Sequence, residues 1–338
     1  MGLGGELIWT PVIRKLYERH GKPISLYAKP ALSDLVVGVW HDRSKNRASS
    51  PIFKNNPYII SDVPIMKNFL ARNIDNWYEK ALDVTRLKNL YDSFWYWISK
   101  REAFRFVYLD LIHHSYAERE FKDRFVWRAP GHSIEIIARS VAIKEMVPHR
   151  LELFLEQNEK EKIRSLVNSC GLSSFVVIEP CSSTDYFGDL RAWPLERWQT
   201  VINQLQSRYP AQKVIQVGLK GSPSLSGCLN LCGQLTFRET AALIEMSSLF
   251  LGTDGGLMHA ANSVDAEAVI VWGGVNKPDF LGYPEKHHIV CLHVSCAPCG
   301  LKGNCPNGHI CMLNISVDQV MGAVVSELEA IIRKKSVG

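Results

Sequence analysis

The sequence has no apolar run approaching the ~20 residues that a bilayer-crossing helix needs. Its most apolar stretches, at 174–180 and 268–272, are far shorter. The opening Met1-Gly2-Leu3-Gly4-Gly5-Glu6 lacks the cationic segment and apolar core of a signal peptide. Neither sign of charge dominates, since 39 Lys and Arg face 34 Asp and Glu for a net +5. The basic residues are dispersed and form no stripe, which argues against nucleic acid as a partner. Internal repeats and low-complexity tracts are absent. Cysteine is missing from everything before Cys170, and the total of nine is odd, so a full disulfide framework is excluded. What remains is a cytoplasmic globular chain. Its 338 residues are enough for two domains at ~150 residues each. The mild positive charge suits an anionic ligand or an acceptor at a membrane surface.

The first half is rich in aromatic and basic residues. A turn at its start leads into a helix up to residue 19, with Pro11 in the first turn, where a missing N–H costs little. Short strands are expected at 23–27, 34–40, 58–60 and 104–111, and helical spacing runs through 66–100 and 133–145. His132 and Glu135 fall on one side of that last helix. The charged stretch 151–168 reads as a solvated helix at a domain junction. The second half alternates more plainly. Strands are expected at 175–179, 213–217, 229–231, 249–251 and 268–272, and helices at 195–208, 237–247, 257–262 and 316–333. Alternation of this kind builds a parallel sheet with helices on both faces. The expected fold is α/β, two Rossmann-like domains facing a cleft, the first spanning 1–150 and the second 151–338.

Chemistry concentrates in three places. In Leu251-Gly252-Thr253-Asp254-Gly255-Gly256-Leu257-Met258-His259 a strand runs into a tight glycine turn and a helix follows at once. Free N–H groups and the positive end of that helix suit a diphosphate. Asp254 is placed to cap the helix and His259 lies one turn in. The bland alternative makes the first only a cap and the second a packed core histidine. A second glycine turn, Gly273-Gly274, follows the next strand and favours the ligand reading. The second place is Pro180-Cys181-Ser182-Ser183-Thr184 followed by Arg191-Ala192-Trp193-Pro194. Hydroxyls at a strand end and an arginine before a helix form another anion-binding corner, with Trp193 and Trp198 as core anchors. The third is Cys296, Cys299, Cys305 and Cys311 on a loop with Gly300, Gly303, Pro306 and Gly308. Four thiolates at that spacing can close a structural zinc or iron site, with His309 as a substitute ligand. The alternatives are reduced thiols or a single disulfide packing the loop. The pairs His113-His114 and His287-His288 show no metal-ligand spacing and are expected at the surface or in an acceptor cleft.

Arg-x-Trp-Pro-x-x-x-Trp from Arg191, Leu-x-Gly-x-Leu-Thr from Leu231 and Gly-Thr-Asp-Gly-Gly-x-x-His from Gly252 together resemble glycosyltransferase family 9, the heptosyltransferases that use an ADP-activated heptose. The opening Gly-Leu-Gly-Gly-Glu-Leu-Ile-Trp-Thr-Pro is similar to that family's first loop. The resemblance covers 2–19 and 176–320 and is thin from 20 to 150. It implies the GT-B fold with the donor in the C-terminal domain, and an inverting transfer without a divalent metal at the reacting phosphate. By position Ser182, Ser183 and Arg191 would meet the donor's phosphates and sugar. Asp254, Gly255, Gly256 and His259 would hold diphosphate and heptose, and Asn230 would contact the adenosine. The acceptor would be a lipopolysaccharide core sugar, at the cytoplasmic face of an inner membrane to which the protein could attach peripherally, or a protein Ser/Thr. Relatives that glycosylate exported autotransporter proteins carry a four-cysteine iron site, which favours iron on the cysteine loop. The family's first loop follows a strand and carries an Asp proposed as general base. This chain begins at the loop, so that strand is expected to be missing. Gly5 falls at the Asp position with Glu6 beside it, so Glu6 is the expected base. The alternatives are a surface glutamate, a different nucleotide sugar, or a catalytically weakened chain that only binds one.

Overall fold

The computed structural model describes residues 3–27, 50–59, 106–108, 117–121, 124–127, 131–141, 143–181, 188–301 and 303–337. In chain order the first elements are α1 (Leu3–Leu7), α2 (Thr10–His20), β1 (Ser25–Tyr27), β2 (Phe106–Tyr108), β3 (Ala117–Phe121), β4 (Arg124–Trp127) and α3 (Ser133–Ser140). There follow α4 (Gln157–Ser169), β5 (Phe175–Ile178), α5 (Leu195–Arg208), β6 (Lys213–Gln216), β7 (Leu229–Asn230), α6 (Phe237–Met246) and β8 (Leu249–Thr253). The chain closes with α7 (Gly256–Ser263), β9 (Ala268–Trp272), α8 (Pro278–Leu281), β10 (His287–Cys291), α9 (Ile310–Leu313) and α10 (Val317–Val337). A 3-10 turn at Gly188–Arg191 precedes α5.

Two units divide the chain, the first holding Trp9–Glu118 and Arg128–Pro148, the second Gly2–Ile8, Arg119–Trp127 and His149–Gly338. In the first unit α2 begins with Pro11 in its opening turn and ends at Gly21, whose left-handed φ of 63° lets its N–H reach the Tyr17 carbonyl. Its apolar face, Val12, Ile13 and Leu16, is buried, and α2 packs on α3. Strands β1 and β2 pair in parallel, and Ile24 bridges Ile59 alongside them. Expected elements at 34–40 and 66–100 lie outside the described residues, as does His113-His114.

The second unit carries the sheet that positions the site. Six parallel strands lie in the order β10-β9-β8-β5-β6-β7. Strands β5 and β9 are apolar throughout and fully buried, as strands covered on both faces must be. Val176, Ile178, Leu249, Leu251, Val269 and Val271 turn to one face, where Trp198, Val201 and Leu205 of α5 and Val320, Val324 and Leu328 of α10 cover them. Helix α6 packs on both α4 and α7. Arg238 of α6 holds Glu159 of α4 through two charge-assisted hydrogen bonds at 2.7 and 2.8 Å. Counting from β5, the order is that of a doubly wound sheet, which reverses between β5 and β8. Ligands of such sheets bind beyond the strands' carboxyl ends at that reversal.

Three expectations are corrected here. The helix expected at 151–168 starts only at Gln157, because Glu156 and Glu159 form a capping box there. The segment before it is extended, and the Leu151 N–H donates to Asn262 Oδ1 at 2.8 Å. The helix expected at 133–145 ends at Ser140, and His132 is its N-cap, its Nδ1 accepting the Ile134 N–H at 3.2 Å. His287 is not a surface residue. It lies on β10, which had no expected strand, and is buried, while its neighbour His288 faces Glu327 at 3.0 Å.

Candidate functional site

The carboxyl ends of β5 and β8 bring the first two chemical segments together. After β8 the chain passes Asp254, and Gly255 is the residue that caps α7, in extended geometry and without a side-chain cap bond. The expectation that Asp254 caps the helix is therefore corrected. Its carboxyl is buried instead, with Oδ1 3.9 Å from Nε of Arg191. The Arg191 Nη1 donates to the Asp254 carbonyl at 2.5 Å. Arginine and aspartate thus form one cluster at the N-terminus of α7, whose first residue Gly256 is exposed. Burial raises the Asp254 carboxyl to about 7, against the pull of Arg191.

One residue of this cluster escaped sequence reasoning. Glu179 follows β5 directly, its N–H donating to Leu251 at 2.8 Å, and it is buried. Burial pushes its carboxyl up to about 8 although Arg191 pulls it down, and its Oε2 has no hydrogen-bond partner among the described residues. The available signal was a charged residue ending an otherwise apolar strand. Ser182 and Ser183 lie outside the described residues.

His259, one turn into α7, is buried, and its Nδ1 meets the Tyr283 hydroxyl at 2.6 Å. The ring of Tyr283 also stands edge-on to His287 at 5.5 Å. Burial lowers His287 to about 3, so this imidazole is neutral. Helix α1 packs on α7, and Gly4 fits there because a Cβ would lie 2.6 Å from the His259 ring and 3.2 Å from Gly256 Cα. Glu6 sits on the same short helix and is buried, so it is not a surface glutamate. Asn230 is at the end of β7, two strands from β5. Its amide donates to Ser224 at 3.0 Å and its carbonyl accepts the Cys232 N–H at 2.9 Å.

The metal centre expected on Cys296, Cys299, Cys305 and Cys311 finds no support in the arrangement of these residues. Among the described residues no group of three or more His, Cys, Asp or Glu is arranged to hold a metal ion. All nine cysteines are free thiols, so the single disulfide is excluded too. Burial raises Cys299 and Cys311, and the other cysteines of the loop push the same way. The loop is held by other means. The Cys299 N–H donates to Gly274 at 2.8 Å, and His309 Nε2 bonds the Leu190 carbonyl at 2.7 Å. The Gly273-Gly274 turn serves this packing, since Cβ atoms would come within 3.1 Å of Leu190 and of Ala297. Trp193 and Trp198 are core anchors, edge to face at 4.9 Å.

A doubly wound parallel sheet with a helix N-terminus, an arginine and buried carboxyls at its reversal is a Rossmann-like unit of the GT-B type. In comparison with known proteins, residues 144–310 match the family model of glycosyltransferase family 9 (heptosyltransferase). The lipopolysaccharide heptosyltransferase 3 of Escherichia coli (strain K12) is 25% identical over 177 residues, 46% of this chain and 49% of that protein. The chain therefore spans about half the length of that curated relative. The crystal structure of the family 9 glycosyl transferase from Veillonella parvula covers 98% of this chain and 95% of its own, with a TM-score of 0.62 at 15% identity. That likeness establishes the fold. The E. coli ADP-heptose heptosyltransferase II is similar over 61% of this chain and 63% of its own, at 19% identity and a TM-score of 0.45.

Proposed function

We propose that the chain is an inverting glycosyltransferase that moves heptose from ADP-heptose to a hydroxyl of a lipopolysaccharide core sugar or of a protein Ser/Thr. The observation that carries this reading is the joining of Arg191, Asp254 and the N-terminus of α7 at the sheet reversal. A leaving diphosphate needs its growing negative charge met by fixed positive groups. A helix N-terminus and an arginine supply them without a divalent metal. Gly255 and Gly256 let the diphosphate approach the backbone, and Ser182 and Ser183 add hydroxyl donors. His259 contacts the sugar or phosphate, and Asn230 the adenosine.

Glu6 is the group in this reading that accepts the acceptor's proton. Its burial on the helix against α7 keeps a carboxyl in the donor-binding unit, where Gly5 cannot supply one. The part of the chain before residue 150 would recognise the acceptor, and the protein would meet a phosphorylated lipid acceptor at the inner membrane surface. The test is ADP release on incubation with ADP-heptose and candidate acceptors, for the wild type and for Glu6→Gln. Transfer by the wild type and its loss in the variant are expected. Unchanged turnover in Glu6→Gln would remove that residue from the mechanism. Binding of donor without transfer to any acceptor would favour a nucleotide-sugar-binding protein. A rise in melting temperature with a different nucleotide sugar would change the donor.

A further inference from the structure

Two buried carboxyls share one arginine beyond the ends of β5 and β8. Arg191 Nη1 donates to the Asp254 carbonyl, and its Nε stands 3.9 Å from Asp254 Oδ1. Glu179 follows Ile178, which is level with Leu251 of β8, and its carboxyl lies within reach of the Arg191 charge. Glu179 and Asp254 are only 7% and 5% exposed. Among the described residues neither Glu179 Oε2 nor Asp254 Oδ1 has a hydrogen-bond partner. One guanidinium cannot neutralise two carboxylates. With both ionised, the cluster holds an excess negative charge away from water, at the place where an anionic ligand would arrive. The surrounding groups leave that excess standing. Burial, with the Glu179 charge behind it, holds the Cys181 and Cys232 thiols above the ordinary 9.0. Asp189 of the 3-10 turn adds another negative charge beside Cys181, and His309 is bonded to the Leu190 carbonyl of that turn. Helix α7 brings His259, bonded to Tyr283, and α1 against it brings the buried Glu6. Arg238 of α6 is committed to Glu159, and Arg197 of α5 to the carbonyls of Leu313 and Ile315.

We propose that Glu179 and Asp254 make donor binding proton-linked: the pair, gathered on Arg191, takes up a proton when the diphosphate of the nucleotide sugar settles at Arg191 and the start of α7. The proposal rests on the nucleotide-sugar reading of this site. Glu179 is a positioning residue in it, acting through Arg191. Ionised, it competes with the ligand for the guanidinium; protonated, it leaves that charge to the diphosphate. The phosphates of a nucleotide sugar carry one charge each and do not titrate near neutrality, so the proton passes from solvent to the protein. The neutral carboxyls favour the anion, so affinity is complete at acid pH. It falls as pH rises through about 7 and about 8, where Asp254 and Glu179 release their protons. Because both carboxyls face one arginine, the uptake is a property of the pair.

Titration calorimetry of ADP-heptose in buffers of different ionisation heat counts the protons taken up per ligand, with circular dichroism verifying that each sample is folded. For the wild type the count is expected near zero at about pH 5.5 and at least about one at about pH 9, with affinity falling at least about tenfold between them. Glu179→Gln keeps the shape and cannot ionise. Near pH 5.5 it is expected to bind as the wild type does. At about pH 9 it is expected to take up nearly one proton fewer and to bind about tenfold more tightly than the wild type, the worth of one linked proton a full pH unit above its release. Infrared difference spectra of the wild type at the same alkaline pH are expected to gain a protonated-carboxyl band when ADP-heptose is added. No gain of that band overturns the proposal whether or not the variant folds. Parallel pH profiles for wild type and Glu179→Gln overturn it and leave the nucleotide-sugar reading standing. No binding of ADP-heptose to the wild type at about pH 5.5, where the pair holds its protons, overturns both.

Discussion

Glu179 sets a pH dependence of stability whose sign runs against that of most carboxylates. Its carboxyl moves from 4.5 when solvated to about 8 when folded, through burial. Between those values the folded state holds a proton that the unfolded state has released, so stability falls as pH rises. The native carboxyl exerts no penalty below 4.5 and its full penalty above about 8. That difference corresponds to about 4–5 kcal/mol between the two protonation states. For a unit of this size each kcal/mol moves the melting temperature by about 2–4 °C, so the full span is on the order of 10 °C. Asp254 adds a change of the same sign between 3.8 and about 7.

Glu179→Gln isolates the effect, because the amide keeps the shape and never ionises. His287 acts in the opposite sense: lowered from 6.5 to about 3, it makes the unfolded state the better proton binder, so it lowers stability as pH falls through that window. The wild-type melting curve alone therefore mixes two trends. The decisive quantity is the difference in melting temperature between variant and wild type, followed by calorimetry from about pH 5 to about pH 8.5. It is expected near zero at the acid end and to grow in favour of the variant by several degrees at the alkaline end. A difference that stays flat across the range refutes the buried, proton-holding carboxyl.

His287→Phe keeps an aromatic ring against Tyr283 and removes two buried ring nitrogens that have no hydrogen-bond partner among the described residues; denaturant unfolding is expected to show it more stable by about 1–2 kcal/mol near pH 5, with little gain near pH 7. Arg238→Met strands the partly buried Glu159 carboxylate and loosens the junction of α4 and α6; a loss of about 3 kcal/mol in urea unfolding is expected, and a loss below about 0.5 kcal/mol would show the pair to be dispensable. Gly4→Ala forces a Cβ against the His259 ring, and ADP affinity measured by calorimetry is expected to fall several-fold while the melting temperature drops by only a few degrees. Thiol titration of the denatured, unreduced protein is expected to find all nine cysteines reactive, with the exposed Cys170 modified first in the native state.

What the sequence made legible was whatever a local pattern governs. Strand β9 and helix α5 fall at their expected bounds, because an unbroken apolar run and a 3.6-residue apolar spacing are each complete within their own segments. The parallel, two-faced sheet followed from the alternation of such segments, and Arg191 meeting Asp254 followed from two motifs at neighbouring strand ends. Illegible were the residues whose role depends on what tertiary packing removes from water. Glu179 looks like any charged residue at a strand end, and only the reversal of the sheet order between β5 and β8 buries it. Tyr283 and His287 carry no motif; one lies after α8, the other on β10, and packing alone joins them to His259. In the cysteine loop, spacing states only which ligands could meet; Cys311 is taken into the core beside Met312, and His309 and the Cys299 N–H pin the loop to Leu190 and Gly274. Asp254, which reads as a helix cap, likewise holds a buried carboxyl at the candidate phosphate site, where its protonation and that of Glu179 set how much negative charge Arg191 already faces before any ligand arrives.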